Sequence, residues 1–271
     1  MALKSYMDKF FKYEKERWEA PRLEYAILDA DDSNFVDEYT LTYAQQSAMD
    51  PTGDELEAFV AEMSAVLQAN NGLDVYKKDS FHGKLVLFDF RSHLYAPLIC
   101  LEKSNLKIQL SPVALNTDEM RFVDYLKAYV DNHAAELVDK SLYLLRNKSK
   151  VGMGFFEAGN FYPDYILWID TPETQYISFI DPKGLMHIRP DDPKIEFYKT
   201  IKDLETRLSP TADGKRIVLN SFIMAGTRSS DLRMWWSTPE VDADRAYREA
   251  RNVYTLDNDE CVESMMRKIL Q

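Results

Sequence analysis

The chain has 271 residues and a mass of 31.5 kDa, with 45% hydrophobic and 13% aromatic side chains and 45 acidic groups against 33 basic ones, a formal charge of −12. These values exclude a disordered chain and one that needs disulfide or metal staples, since folding at this size hides roughly three quarters of the extended surface. The charge argues against a protein that coats nucleic acid non-specifically. No Lys or Arg lies between Arg22 and Lys77, a stretch carrying 12 acidic residues, and the remainder is balanced at 33 of each sign. A local site for an anionic partner therefore stays open. Cys100 and Cys261 match no clustered metal pattern, so a reducing, cytoplasmic setting is the expectation. Met1 leads into a charged amphipathic stretch, and no run approaches 18 uncharged apolar residues; neither a signal segment nor a membrane partner is expected.

Tyr6, Phe10, Phe11, Tyr13 and Trp18 form an aromatic helical stripe that Pro21 interrupts, and Leu23 to Leu28 reads as a short strand. Thr52 and Glu55 have capping-box spacing ahead of Leu56, Phe59, Val60, Met63 and Leu67, which predicts a helix. Asn71-Gly72 marks a turn. Strands follow at Leu85 to Phe90, Leu94 to Leu101 and Leu106 to Leu110, and Pro112 ends the run.

Asn116 and Glu119 repeat the capping-box spacing before a helix with Phe122, Leu126, Tyr129 or Val130, His133 and Leu137 on one face. Leu142 to Leu145 and Met153 to Phe156 are short strand candidates around a basic turn. Tyr165 to Ile169 and Tyr176 to Ile180 read as adjacent antiparallel strands, nearly buried on both faces. Ile195 to Leu208 is helical on Phe197, Ile201, Leu204 and Leu208. Arg216 to Met224 is a strand stopped by Gly226, and Asp259 to Leu270 is a helix burying Val262, Met265, Met266 and Ile269. The expected fold class is α/β, a mixed β-sheet flanked by helices. The expected division is an acidic α+β lobe over residues 1–110, a core over 111–227 and a helical extension over 228–271.

Chemistry concentrates at Pro163-Asp164 and Asp181-Pro182-Lys183. Asp164 opens one central strand and Asp181 closes its antiparallel neighbour, so the hairpin brings both carboxylates to one sheet edge. Lys183, two residues beyond Asp181, shares its face. Adjacent carboxylates repel, and a divalent cation between them relieves the repulsion; oxygen ligands of this kind suit Mg²⁺ or Mn²⁺. Such a metal polarises a phosphate and acidifies water, and Lys183 positions or deprotonates the attacking water and offsets phosphate charge. The residues point to phosphodiester hydrolysis.

On these residues the sequence resembles the PD-(D/E)XK nuclease superfamily, and more narrowly the C-terminal endonuclease domain of the Res subunit of type III restriction enzymes. The likeness rests on Pro163-Asp164, on Phe179-Ile180-Asp181-Pro182-Lys183-Gly184, and on Asn116-Thr117-Asp118-Glu119 with Phe122-Val123 following. The phrases His93 to Leu98 and Ser111 to Asn116 also look like that family's lead-in. It covers about residues 90–225. The resemblance implies a restriction-endonuclease-like core and a DNA endonuclease using Mg²⁺, for which Mn²⁺ would substitute. It makes Asp164 and Asp181 metal ligands, Lys183 the catalytic lysine, Pro182 a backbone-carbonyl ligand, and Glu119 the helix carboxylate completing the site. Family members couple this domain to an ATP-driven translocase, whereas this chain has no Gly-rich Walker A sequence. A separate translocase or modification subunit is therefore an expected partner alongside DNA, and a homodimer would supply two cutting sites.

Competing readings stand beside these. Glu119 also fits the N3 position of its capping box. Glu157 is either near the site or solvated. His133 reads as a core histidine, while His82, His93 and His187 are too scattered for a metal site. Arg146, Lys148, Lys150, Lys194, Lys199, Lys202, Arg228 and Arg233 are either phosphate contacts or solvated surface. Trp235-Trp236 reads as a core or interface anchor. RNA is not distinguished from DNA by this chemistry, and a catalytically silent nuclease-fold module for binding or assembly is the alternative function.

Overall fold

The computed structural model describes residues 40–43, 75–80, 83–88, 98–101, 108–147, 154, 161–237 and 241–271, together with the helical positions Asp54, Glu57, Ala58, Ala61 and Ala65. The predicted aromatic stripe from Tyr6, the strand at Leu23, the apolar helix face at Leu56 to Leu67, the Asn71-Gly72 turn and the strand at Met153 lie outside the described residues. So do His82, His93, Lys148, Lys150 and Glu157.

The early strands form two small antiparallel units. β1 (Thr40–Tyr43) pairs with β5 (Ile108–Ser111), while β2 (Val75–Ser80), β3 (Gly83–Phe88) and β4 (Leu98–Leu101) make a three-stranded sheet in chain order. Buried Cys100 of β4 bridges to buried Leu115 in parallel. β1 and β2 carry no apolar run long enough to announce themselves in the sequence.

The main sheet begins with α1 (Thr117–Asn132), which forms where the capping box places it. The Asn116 side chain accepts from the backbone N–H of Asp118 at 2.9 Å and of Glu119 at 3.0 Å, and Glu119 Oε2 accepts from the Asn116 N–H at 2.9 Å. Glu119, Phe122, Val123, Leu126 and Tyr129 are its buried stripe. The helix stops one turn earlier than its apolar pattern, at the C-cap His133, whose ring stacks on Tyr129 with centroids 4.2 Å apart and whose Nε2 lies 3.7 Å from Glu263. His133 is thus a capping and bracing group.

Next come β6 (Ser141–Arg146), β7 (Tyr165–Asp170), β8 (Thr174–Lys183), α2 (Pro193–Glu205) and β9 (Arg216–Ala225). The spatial order is β10-β9-β8-β7-β6, with β10 at Val253–Thr255. β6, β7 and β8 are antiparallel; β8, β9 and β10 are parallel, with α2 as the crossover between β8 and β9. The sheet is mixed and flanked by helices, as the sequence predicts. α3 (Ser229–Trp235), α4 (Val241–Glu249) and α5 (Glu260–Ile269) complete it, α5 burying Cys261 as well as the four expected residues.

β8 runs three residues farther than its apolar pattern, through Asp181, Pro182 and Lys183. Pairing with β7 ends at Tyr165↔Ile180, whereas pairing with β9 continues to Lys183↔Ala225. The Gly226 N–H donates to the Lys183 carbonyl at 3.0 Å, so Lys183 addresses β9. Alternation turns the Pro182 backbone to the other side, where β7 has already ended. A proline is tolerated in this central strand because its missing donor faces no ladder.

β7 and β8 are buried nearly end to end, Ile166, Leu167, Ile169, Phe179 and Ile180 among them. Phe122 is fully buried, its ring 5.4 Å from that of Tyr165, the residue after Asp164. Truncating Phe122→Ala leaves a cavity between α1 and β7 and is expected to cost about 3–5 kcal/mol in chemical denaturation. A loss below about 1 kcal/mol would contradict this packing.

Candidate active site

The register of the central hairpin builds the site. Tyr165 pairs with Ile180, so Asp164 stands opposite Asp181 at the end where β7 begins and β8 runs on. The approach to β7 is pinned from β6: Asn147, itself buried, donates its backbone N–H to the Asp164 carbonyl at 2.8 Å and its side-chain amide to the Pro163 carbonyl at 2.9 Å. Both ends of the Pro163-Asp164 unit are thereby held. No sequence signal marks Asn147, because a buried asparagine that ties down backbone looks like any loop residue.

Asp181 is buried at 4% exposure, and Lys183 places its ammonium 3.3 Å from Asp181 Oδ2. The Asp164 carboxyl is pushed up to about 8, first by burial and then by the charge and proton-sharing contact of Asp181, with Glu119 adding to the effect and Lys183 opposing it. The two carboxyls therefore repel when both are ionised. Among the described residues, no three His, Cys, Asp or Glu side chains are gathered so as to hold a metal ion; Asp164 and Asp181 are a pair. A pair still fits Mg²⁺, which is commonly bound through one or two carboxylates while keeping several waters.

Glu119 faces the same end of the sheet but is engaged through one oxygen. Its Oε2 accepts both from the Asn116 N–H and from Arg146 at 3.1 Å, in a pair whose side chains are 8% and 12% exposed. Burial raises the Glu119 carboxyl above its usual range, while Arg146 and the Asn116 N–H pull it back. No hydrogen bond engages Oε1 among the described residues. The capping role foreseen for Glu119 is present, and Arg146 serves it: its guanidinium also bonds the carbonyls of Val113 and, at 3.3 Å, Ala114. Arg146 braces the loop before α1, so it is not the solvated surface group that one of its two readings expects.

Lys194, at the start of α2, approaches Lys183 and lies in the field of Asp181; burial and the Lys183 charge hold its ammonium below the usual lysine range. The other lysines of that helix point elsewhere. Lys199 pairs with Glu196, and Lys202 bonds Glu205 at 2.8 Å and the Leu219 carbonyl at 2.6 Å. Leu219 sits four residues along β9 from Ile223, the partner of Asp181, so Lys202 is remote from the carboxylates.

The tandem tryptophans split. Trp236 is buried and donates its indole N–H to the Ile188 carbonyl at 2.9 Å; Trp235 is 43% exposed, edge-on to exposed His187 at 4.9 Å. Arg228 precedes α3 and is exposed. Arg233 lines a separate cleft of about 370 Å³ with Arg245, Arg248 and Tyr254. Arg248 there pairs with buried Asp244 at 3.0 Å, and Arg245 with Glu249 at 2.7 Å. That cleft shares no residue with the Asp164 group.

No family model matches the chain, and no curated protein or solved structure matches it. The structure itself defines the class: a mixed α/β protein with a five-stranded sheet flanked by helices, carrying a carboxylate pair and two lysines at one end of its central strand.

Replacing Asp164→Asn keeps the side chain's shape and its hydrogen bond to Asp181 while removing one charge. In wild type, the folded state retains a proton that the unfolded chain releases above the ordinary carboxylate range. Wild-type stability accordingly falls as pH rises from that range toward 8, and the asparagine variant escapes this loss. In divalent-free buffer near pH 8 the variant is expected to gain at least about 1 kcal/mol, or roughly 2–4 °C in melting temperature. An unchanged or lower melting temperature would show that the two carboxyls do not strain each other.

Proposed function

We propose that this chain is a metal-dependent endonuclease of the PD-(D/E)XK type, hydrolysing DNA phosphodiester bonds in a restriction or other DNA-processing system. One observation carries the reading: Asp164, Asp181 and Lys183 meet at one strand end, with the carboxylates pressed together and the lysine 3.3 Å from one of them. The likeness to the endonuclease domain of type III Res subunits supports it, as does the order helix, three antiparallel strands, helix and parallel strand.

In this reading Asp164, Asp181 and the Pro182 carbonyl would hold Mg²⁺ or Mn²⁺, and Glu119 would complete the site through Oε1. The bound metal would polarise the phosphate and lower the pKa of a coordinated water. Lys183 orients the attacking water and offsets charge that develops on the phosphate. Asn147 and the β7–β8 ladder keep the Asp164 backbone in place. DNA is the proposed partner, with a separate translocase supplying any movement along it.

The test is nicking of supercoiled plasmid by the purified chain with Mg²⁺ or Mn²⁺, beside an EDTA control and the Asp181→Ala and Lys183→Ala variants. Metal-dependent nicking is expected, reduced at least about 100-fold in each variant. Absence of cleavage on plasmid and on structured RNA, with no metal-induced rise in melting temperature, would sink the reading. The silent binding module would then take its place, a role favoured by exposed Met186 at 52%, Met234 at 72% and Trp235 at 43%.

A further inference from the structure

Lys194 stands where three effects oppose a positive charge. It follows the N-cap Asp192 and the Pro193 of the first helical position, so it sits at the positive end of the α2 dipole. Its ammonium presses against that of Lys183, and the charges of Asp181 and Asp192 offset this only in part. It is also half-buried, which weakens hydration without supplying a counter-charge. Its backbone N–H is satisfied by Asp192 Oδ1 at 2.9 Å, but among the described residues its ammonium has neither a hydrogen-bond acceptor nor an ion-pair partner. Lys199 and Lys202 on the same helix each have an acidic partner, and Lys215 pairs with Asp170 at 2.5 Å. Even Lys183 has Asp181. Burial and the Lys183 charge outweigh the help of Asp181 and Asp192, so the position suits a lysine that receives an anion better than one serving stability alone.

The anion must fit beside Asp181 and Lys183, at a place that repels free carboxylates. A phosphodiester meets the requirement when its other oxygens face the carboxylate side through a cation. We propose that Lys194 is a substrate-binding residue that holds a non-bridging oxygen of the scissile phosphodiester, working beside Lys183. The proposal rests on the nuclease reading above. Division of labour follows from the contacts: Lys183, tied to Asp181, stays with the water and the carboxylates, and Lys194, untied, takes the phosphate. Bonded to Asp181 Oδ2, the Lys183 ammonium has fewer free donors to offer a phosphate than that of Lys194.

The test compares Lys194→Ala, Lys194→Arg and Lys199→Ala with wild type. Binding of a fluorescent DNA duplex is followed by anisotropy with Ca²⁺ replacing Mg²⁺ to hold hydrolysis back, and cleavage is followed with Mg²⁺. One phosphate contact contributes about 0.9 to the slope of log affinity against log salt. Lys194→Ala is expected to lower that slope by about 1, to slow cleavage at least about tenfold, and to melt no lower than wild type because it removes an unpaired charge. Lys194→Arg restores the slope, and Lys199→Ala changes neither slope nor rate. If wild type binds and cleaves while Lys194→Ala keeps both its slope and its rate, this assignment fails and the nuclease reading survives. A lower melting temperature in Lys194→Ala, with the slope intact, would show a structural lysine and overturn the proposal equally. If wild type neither binds nor cleaves, both fall, and the wild-type measurement alone reveals it.

Discussion

The backbone ladder between β7 and β8 governs everything at the candidate site. It runs from Tyr165↔Ile180 to Asp170↔Gln175, and a slip of one residue would turn every side chain to the opposite face. Burial forbids that slip. Tyr165, Ile166, Leu167 and Ile169 on one strand and Ile177, Phe179 and Ile180 on the other are all buried, so each face is fixed by apolar packing. A ladder fixed this firmly can hold Asp164 against Asp181 although the two repel when both are ionised. The same ladder leaves β8 overhanging β7, which accommodates Pro182 and turns its carbonyl away from β9.

Legibility in the sequence followed the strength of the local signal. The central hairpin, α1, α2, β9 and α5 were readable because long apolar runs or capping boxes mark them. Strands such as β1, β2 and β10 were not, since a strand of three to six mixed residues depends on its partner for definition. α3 and α4 escaped for a related reason: α3 spans only seven residues, and α4 is a polar helix whose organising pair, Asp244 with Arg248, reads in sequence as ordinary surface charge. At the site, strand periodicity delivered Asp164, Asp181 and Lys183. Periodicity has nothing to say about Asn147 or Arg146, whose roles are bonds to carbonyls far away in sequence. It also treated the lysines of α2 alike, when only the one at the helix start reaches the strand end.

The charges at that strand end show why the arrangement is hard to explain as stabilisation. Two acids and two lysines could have formed two ion pairs, each modestly favourable. Only one forms, between Lys183 and Asp181. Asp164 instead shares with Asp181, and Lys194 presses on Lys183, so that like faces like on both sides. The fold holds this imbalance through groups that do not carry it: Asn147 fixes Asp164 from β6, and Asp192 with Pro193 fixes the start of α2. A ligand of a single sign would relieve one deficit and deepen the other. In the proposed reading a cation bound together with a phosphodiester would meet both at once, through the carboxylates and the lysines respectively. That electrostatic asymmetry, more than any single residue, is why we propose a metal-dependent phosphodiesterase over a static salt-bridge cluster.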